Sequence, residues 1–130
     1  MSTVLESSSI QPKLPIILAS GSESRKQILN EAGIIFDVSV SDIDESEIKL
    51  KIGSLPHGEQ VIHLAKAKAA TVSKNNLGKI VIGGDQMCVL DNKVLHKPGS
   101  KENAIKSLRQ LSNQKHYQHS GVCIFKDGNC

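Results

Sequence analysis

A turn rich in hydroxyl groups, followed by one arginine, is the first part of this 130-residue sequence whose side chains could do chemistry. Residues 18–25 are Leu-Ala-Ser-Gly-Ser-Glu-Ser-Arg, and they join an apolar run at residues 14–19 to a helical pattern that ends near Gly33. A strand-to-helix turn directs free backbone N–H groups, serine hydroxyls and Arg25 to one point, which suits a phosphate group. The alternative is an ordinary helix cap, formed by Ser20 or Ser24 with Glu23 or Gln27 completing a capping box.

A lysine on the apolar face of a predicted helix is the second such feature. The helix is expected at residues 59–74, and its apolar face is formed by Val61, Leu64, Ala65 and Val72. Lys68 falls in the middle of this face, where an unpaired charge would be costly, so an anionic partner is expected. The alternatives are that Lys68 extends to the surface or pairs with a structural carboxylate.

Carboxylates form the third feature. Asp85 follows Ile-Val-Ile-Gly-Gly at residues 80–84, which predicts a position at the carboxyl end of a buried strand, where open α/β sheets bind ligands. Asp42, Asp44 and Glu45 could supply oxygen ligands for Mg²⁺, and Lys97 could contact phosphate oxygens. Each of these residues also has a structural interpretation, as part of a turn or of a solvated loop. Together they favour metal-assisted attack of water on a phosphate ester.

The elements expected to position these residues alternate between strands and helices. Strands are predicted at residues 14–19, 34–40, 79–84 and 121–125, a hairpin at 87–90 and 93–95, and helices ending near Gly33, at 59–74 and from a Ser100 cap to Leu111. Apolar faces are expected at Ile28, Leu29 and Ala32, at Phe36, Val38 and Val40, and at Ala104, Ile105, Leu108 and Leu111.

The chain is expected to form one domain at residues 14–130, after a disordered, serine-rich tail at residues 1–13. The turn signal Asp127-Gly128-Asn129 follows the last predicted strand without a partner strand after it, so an open strand edge is expected. We therefore expect this chain to be the N-terminal portion of a larger fold.

Composition excludes several classes of protein. The net charge of +3 and the absence of a dense basic stripe suit an anionic small molecule, and aromatic residues at 2% are too few for base-stacking platforms, so stable nucleic-acid binding is not expected. No apolar run reaches membrane-spanning length. The three widely spaced cysteines predict neither a disulfide framework nor a zinc site, and they favour a reducing, cytoplasmic location.

The order of these motifs resembles the Maf family of nucleoside triphosphate pyrophosphatases, also called septum formation proteins. The family pattern Leu-Ala-Ser-x-Ser-Pro-x-Arg is similar to residues 18–25, and Asp-x-Asp-Glu is similar to residues 42–45. The patterns Leu-Ala-x-x-Lys-Ala and Ile-Gly-x-Asp-Thr/Gln are similar to residues 64–69 and 82–86, and Lys97-Pro98 continues the order. The resemblance covers residues 14 to about 125.

The resemblance implies a mixed sheet flanked by helices and hydrolysis of a nucleoside triphosphate to the monophosphate and pyrophosphate. It also implies a divalent metal, with Mg²⁺ favoured and Mn²⁺ the alternative. Asp85 would be the base that activates water and, with Glu45, a metal ligand. Phosphate contacts would come from Ser20, Ser22, Arg25, Lys68 and Lys97. Gln86 is similar to the branch associated with 7-methyl-GTP, whereas the dTTP/UTP branch carries threonine there.

Two departures from the family pattern leave a second function open. Glu23 and Ser24 replace the family's proline and the arginine or tryptophan after it, which affects base preference, and family members continue well beyond residue 130. The main expectation is a house-cleaning enzyme that acts on non-standard nucleotides. The alternative is a catalytically impaired nucleotide-binding protein or division regulator. A homodimer is compatible with either function.

Overall fold

The computed structural model describes residues 12–96 and 98–130. Within them the elements are β1 (Ile16–Leu18), α1 (Glu23–Glu31), β2 (Asp37–Val38), α2 (Glu45–Ile52), α3 (His57–Lys74), β3 (Ile80–Leu90), β4 (Lys93–Leu95), α4 (Lys101–Leu111) and β5 (His116–Lys126). The predicted α/β fold, a mixed sheet with flanking helices, is confirmed. Lys97 and most of the predicted tail lie outside the described residues; Pro12 and Lys13 are in neither helix nor strand.

β3 is the central strand of the sheet. β5 pairs with it antiparallel along its whole length, from Ile80 opposite Lys126 to Leu90 opposite His116. β1 pairs in parallel with its first residues and β4 antiparallel with its last, while β2 pairs in parallel with β1. Because β5 fills one edge of β3, β1 and β4 share the other edge.

This arrangement leaves a gap in the sheet beside the middle of β3. β1 reaches only Ile82 and β4 begins to pair only at Cys88, so residues 83–87 have a neighbouring strand on one edge alone within the described part of the chain. We call this gap, about 16 Å long at the usual rise per residue, the notch. Asp85 lies at its centre.

α3 covers one face of β3 and β5. The predicted apolar face of this helix is confirmed, since Val61, Leu64, Ala65 and Val72 are all buried. Burial of each of the larger side chains contributes about 1.5 to 3 kcal/mol. The core consists of two clusters: Ile17, Ala19, Ala65, Ala69, Val72, Val81, Cys123 and Phe125, and Ile52, Val61, Leu64, Met87 and Val89.

Two strands are longer than predicted. β3 does not end at Gly84 but continues through Asp85 to Leu90, because β5 pairs with it across this point, with Gly121 opposite Asp85. The prediction that Asp85 stands at a strand end is therefore wrong. β5 begins at His116 rather than at residue 121, since pairing with β3 extends through its polar first half.

Three predicted apolar faces are only partly covered by the described residues. No residue of α1 or α4 is buried, and Leu108 on α4 is 67% exposed. β2 is two residues long and both of its residues are exposed, as is Val40 after it. These faces have the apolar pattern of core elements, but the described chain fully buries none of their residues.

Helix caps and turns follow the sequence closely at several places. The Ser100 hydroxyl accepts a hydrogen bond from the Asn103 N–H at 3.1 Å, which confirms the predicted cap of α4. The turn after β5 is also confirmed, with positive φ angles at Asp127 and Gly128. No helix within the described residues is both long and apolar enough to cross a membrane.

Candidate active site

Three charged side chains from three elements meet beside the notch. Lys68 on α3 places its Nζ 2.9 Å from Asp85 Oδ1 on β3 and 2.9 Å from Glu45 Oε1 at the start of α2. The side chains of Lys68 and Asp85 are 15% and 13% exposed, and that of Glu45 is 44% exposed. The anionic partner that the sequence required for Lys68 is thus a pair of carboxylates.

Two glycines let α3 lie directly on the sheet beside this cluster. A Cβ atom at Gly83 would stand 2.5 Å from the Ala65 carbonyl oxygen, and one at Gly121 would stand 2.7 Å from that of Val61. Both distances are shorter than van der Waals contact, so any side chain there would push α3 away from β3 and β5. The short separation is what allows Lys68 to reach Asp85 across the interface.

The turn between β1 and α1 forms a second group of polar side chains. Ser22, rather than Ser20 or Ser24, is the N-cap of α1, and its hydroxyl accepts a hydrogen bond from the Arg25 N–H at 3.3 Å. Ser20 is buried, and its hydroxyl accepts from Arg25 Nη1 at 2.8 Å and from the Ser22 N–H at 3.2 Å. The predicted capping role is therefore corrected to Ser22, because α1 begins at Glu23.

Arg25 lies on the face of β3 opposite Lys68. A Cβ atom at Gly84 would stand 3.0 Å from Arg25 Nε, whereas one at Gly83 would meet α3. Successive residues of a strand point to opposite faces of its sheet, so Gly84 and Gln86 share the Arg25 face while Asp85 shares the α3 face. The serine-arginine group and the charged cluster therefore lie on the two sides of β3 at the notch.

The remaining predicted residues are less closely joined to this site. Ser24 is exposed in the first turn of α1, and Gln86 is exposed on the Arg25 face, where its side chain donates a hydrogen bond to Gln118. In the acidic stretch, Asp44 caps α2 by accepting from the Glu47 N–H at 3.2 Å, and Asp42 is exposed. Only Glu45 of that stretch contacts Lys68.

The positive charge of Lys68 is stabilised by its partners. Burial alone would lower the pKa of Lys68, but the hydrogen bonds and negative charges of Glu45 and Asp85 outweigh it and raise the pKa above its ordinary value of 10.5. Lys68 is therefore an ammonium ion throughout the physiological range. Burial also raises the pKa of the Cys123 thiol, which argues against a cysteine nucleophile.

This raised pKa predicts a loss of stability in alkali. A group with a raised folded-state pKa contributes its full stability below its unfolded pKa and loses it as the pH passes the folded-state value. We expect the urea midpoint of the protein to fall as the pH rises beyond 10.5, and to fall less in Lys68→Met. Equal falls in both proteins would show that the ion pairs do not stabilise the fold.

The two carboxylates fit a hard divalent cation. Mg²⁺ is usually held by one or two carboxylates together with water and substrate phosphates. Glu45 and Asp85 each direct one oxygen to Lys68, which leaves the second oxygen of each side chain for a metal ion or a water molecule. Within the described residues no group of three or more acidic, histidine or cysteine side chains could hold a metal, so the fit depends on phosphate oxygens as further ligands.

Two residues near the site were not singled out from the sequence. Gly121 lies opposite Asp85 and receives the backbone of α3, and Gln118 contacts Gln86. A single glycine inside a strand pattern is a known sign of close backbone approach, so Gly121 was detectable. Gln118 was not, because its contact depends on the register of β5 against β3.

The sheet has a charged cluster beside the notch, and Arg25 of the serine-rich turn lies at the same notch, on the other face of β3. These features define an α/β protein with a candidate phosphate site. Residues 15–130 match the family described as Maf-like protein. The chain therefore belongs to the Maf family.

Curated relatives carry the name nucleoside triphosphate pyrophosphatase. The chain is 38% identical to that of Rhodopseudomonas palustris strain HaA2 over 114 residues and 40% identical to that of Legionella pneumophila strain Philadelphia 1 over 113 residues. The protein of Nitrobacter winogradskyi is 39% identical over 114 residues. The matches cover 87–88% of this chain and 56% of each relative, so the chain spans little more than half the length of these proteins.

Proposed function

We propose that the protein hydrolyses a nucleoside triphosphate between its α- and β-phosphates, releasing the nucleoside monophosphate and pyrophosphate. The observation that carries this proposal is the Lys68 ammonium held 2.9 Å from both Glu45 and Asp85 beside the notch. Such a cluster brings together a carboxylate that can act as a base, a cation that can contact phosphate oxygens, and oxygen ligands for a metal ion. The names of the relatives support the same class of reaction.

Asp85 is the proposed general base. Its Oδ1 accepts a hydrogen bond from Lys68, and its Oδ2 is not engaged by that bond and can take a proton from a water molecule. The deprotonated water attacks the α-phosphorus, the bond to the bridging oxygen breaks, and pyrophosphate leaves with the electron pair. The hydrogen bond from Lys68 holds Asp85 in one orientation, which a base positioned against a water molecule requires.

The serine-rich turn is the proposed phosphate-binding segment. The N-terminus of α1 offers backbone N–H groups and a partial positive charge, and Arg25 adds a full one. Ser20 and Ser22 fix Arg25 by the two hydroxyl contacts described above. Lys97, which lies outside the described residues, is proposed as a further phosphate contact on the basis of the sequence pattern alone.

Mg²⁺ is the proposed cofactor, with Mn²⁺ the alternative. Glu45 would hold it through the carboxylate oxygen that Lys68 does not occupy, and Asp85 would hold it through Oδ1, so that Oδ2 stays available to take the proton. When bound, such an ion neutralises phosphate charge and stabilises the leaving group. The residues of the chain then supply the base, the orientation of the phosphates and the compensation of charge.

The proposed substrate is a modified nucleotide, with Gln86 and Ser24 as the residues that affect the choice of base. Gln86 favours 7-methyl-GTP over UTP and dTTP. Glu23, the carboxylate that departs from the family pattern, pairs with Lys26 at 3.1 Å, so its charge is partly compensated.

We also propose a cytoplasmic location. Its support is that Cys88, Cys123 and Cys130 are all free thiols, as expected in a reducing compartment. A homodimer remains a compatible assembly, to be measured by sedimentation of the purified protein.

Product analysis tests the proposed cleavage position. The protein should convert 7-methyl-GTP, UTP or dTTP in Mg²⁺ to equal amounts of monophosphate and pyrophosphate. In ¹⁸O-labelled water the label should enter the monophosphate, because water attacks the α-phosphorus. Release of orthophosphate alone would contradict the proposed cleavage. Binding of nucleotide without turnover in Mg²⁺ or Mn²⁺ would favour the impaired nucleotide-binding alternative.

A further inference from the structure

We infer that Lys68 takes the place of a divalent cation in the free protein, and that its ion pair with Glu45 is exchanged when a nucleotide binds. The site therefore accepts a metal ion together with the nucleotide and not before it. This inference rests on the proposed function, and it concerns the order in which the ligands bind. Its starting point is that one ammonium group bridges two carboxylates from different elements.

Lys68 lies at the point where the two carboxylates converge. Its Nζ is 2.9 Å from both Asp85 Oδ1 and Glu45 Oε1, so two of its three N–H donors are in use. With the ammonium in place the cluster has one net negative charge, whereas the two carboxylates alone would have two. Arg25 lies on the opposite face of β3 and does not share this role.

Lys68 competes with a divalent ion for this cluster. Asp85 Oδ1 accepts a hydrogen bond from Lys68 and is also the proposed metal ligand. Because Mg²⁺ binds oxygen at about 2.1 Å, two cations on this one oxygen would lie within about 5 Å of each other. The side chain of Lys68 is only 15% exposed, so water and salt screen their repulsion weakly. The ammonium therefore keeps the affinity of the free protein for metal low.

Glu45 is the partner that Lys68 can release. It is the first residue of α2, and its side chain is 44% exposed. Asp85, by contrast, lies in the middle of β3, where β5 pairs with the backbone and places Gly121 opposite it. Lys68 can give up Glu45 and keep its bond to Asp85, which leaves the proposed base in its orientation.

A triphosphate changes the balance of charge at the cluster. Its phosphates bring further negative charge, and they offer oxygens both to the N–H group that Glu45 releases and to a metal ion. Glu45 then becomes available as a metal ligand. Metal and nucleotide therefore strengthen each other's binding, and by linkage each does so by the same factor.

Binding of Mn²⁺ to the nucleotide-free protein tests the competition. Titration followed by the electron paramagnetic resonance signal of free Mn²⁺ should give a Kd at least about tenfold lower for Lys68→Met than for the wild type, because a neighbouring positive charge is removed. Lys68→Gln should show the same gain. Its amide can still donate to one carboxylate, so it replaces Lys68→Met if that variant does not fold. Lys68→Arg keeps the charge and should stay within about threefold of the wild type.

Two controls locate the effect at the cluster. Lys66→Met removes the same charge from an exposed position of α3, and it should stay within about twofold of the wild type. Lys68→Met combined with Asp85→Asn should lose the gain, because one carboxylate ligand is gone. The inference is wrong if the neutral Lys68 variants bind Mn²⁺ no more tightly than the wild type, if the gain survives Asp85→Asn, or if Lys66→Met shows an equal gain.

The coupling to nucleotide is measured with the α,β-methylene analogues of 7-methyl-GTP, UTP and dTTP, which cannot be cleaved between the α- and β-phosphates. The factor by which Mn²⁺ lowers the Kd of an analogue should be about tenfold larger in the wild type than in Lys68→Met. Binding of Mn²⁺ to the analogue in solution is common to both proteins and cancels in this comparison.

These outcomes are separable from those of the proposed function. Equal factors in the two proteins would overturn the exchange, while pyrophosphate release by the wild type would still support the function. If the wild type neither binds these analogues nor hydrolyses the nucleotides, the proposed function fails and the exchange fails with it. The Mn²⁺ titrations without nucleotide then still decide whether Lys68 excludes the metal.

Discussion

Replacing Asp85 with asparagine is expected to lower the rate of pyrophosphate release by about 10²- to 10⁴-fold while nucleotide binding is retained, because a general base supplies a factor of this size. Asparagine has nearly the same shape and still offers an oxygen to Lys68, so the fold should be maintained. What is lost is the ability to take a proton from water. Steady-state release of pyrophosphate and equilibrium binding of the same nucleotide provide the two measurements.

Asp91→Asn is the matched control for this change. Asp91 lies in the turn between β3 and β4 with a φ of 50°, a conformation that asparagine tolerates equally well. It should leave turnover unchanged. If Asp85→Asn retained most of the wild-type rate, Asp85 would not be the base, and Glu45 would be the next candidate beside Lys68.

Replacing Lys68 with methionine is expected to weaken triphosphate binding at least tenfold while the helical content of the protein is kept. The ammonium group contributes a point charge for phosphate oxygens, and methionine preserves the apolar stem that packs on the buried face of α3. The change also leaves Glu45 and Asp85 facing each other without a cation between them. We therefore expect lower thermal stability without metal and partial recovery on addition of Mg²⁺.

Lys66→Met provides the control for this second prediction, since Lys66 is exposed on the same helix. Binding is measured by titration calorimetry, and stability by thermal melts with and without Mg²⁺. If Lys68→Met were less stable but bound nucleotide as tightly as the wild type, the lysine would serve only to hold α2, α3 and β3 together.

The sequence predicts the buried half of this fold well. Val61, Leu64, Ala65 and Val72 repeat with the period of a helix, and burial on β3 confirms that pattern. Lys68 was noticeable because a charge interrupts this face, and its need for an anion follows from the cost of an unpaired buried charge. Its two partners could not be predicted, because they lie on α2 and β3 and meet only when both pack against α3.

The prediction from local sequence is wrong where pairing between strands distant in the chain determines the structure. The polar pair Asp85-Gln86 looked like the end of a strand, but β5 supplies a partner that carries β3 through both residues. α2 was not predicted, although Asp44 followed by Glu47 and Ile48 is a typical helix start and Ile48 and Ile52 pack toward the core. The serines at 20, 22 and 24 were all plausible caps, and the choice of Ser22 depends on where β1 stops.

The two glycines beneath α3 affect how substitutions in this protein should be interpreted. Neither Gly83 nor Gly121 has a side chain that could touch a nucleotide, yet each sets the distance between α3 and the sheet. In a saturation-mutagenesis scan, nearly every replacement of either glycine, alanine included, would lower the activity of the protein. Both positions would therefore resemble active-site residues. Gly21, where a Cβ atom would meet Val40 at an ordinary 3.5 Å, would tolerate alanine although it lies in the serine-rich turn. Sensitivity to mutation and contact with substrate are therefore separate properties in this site.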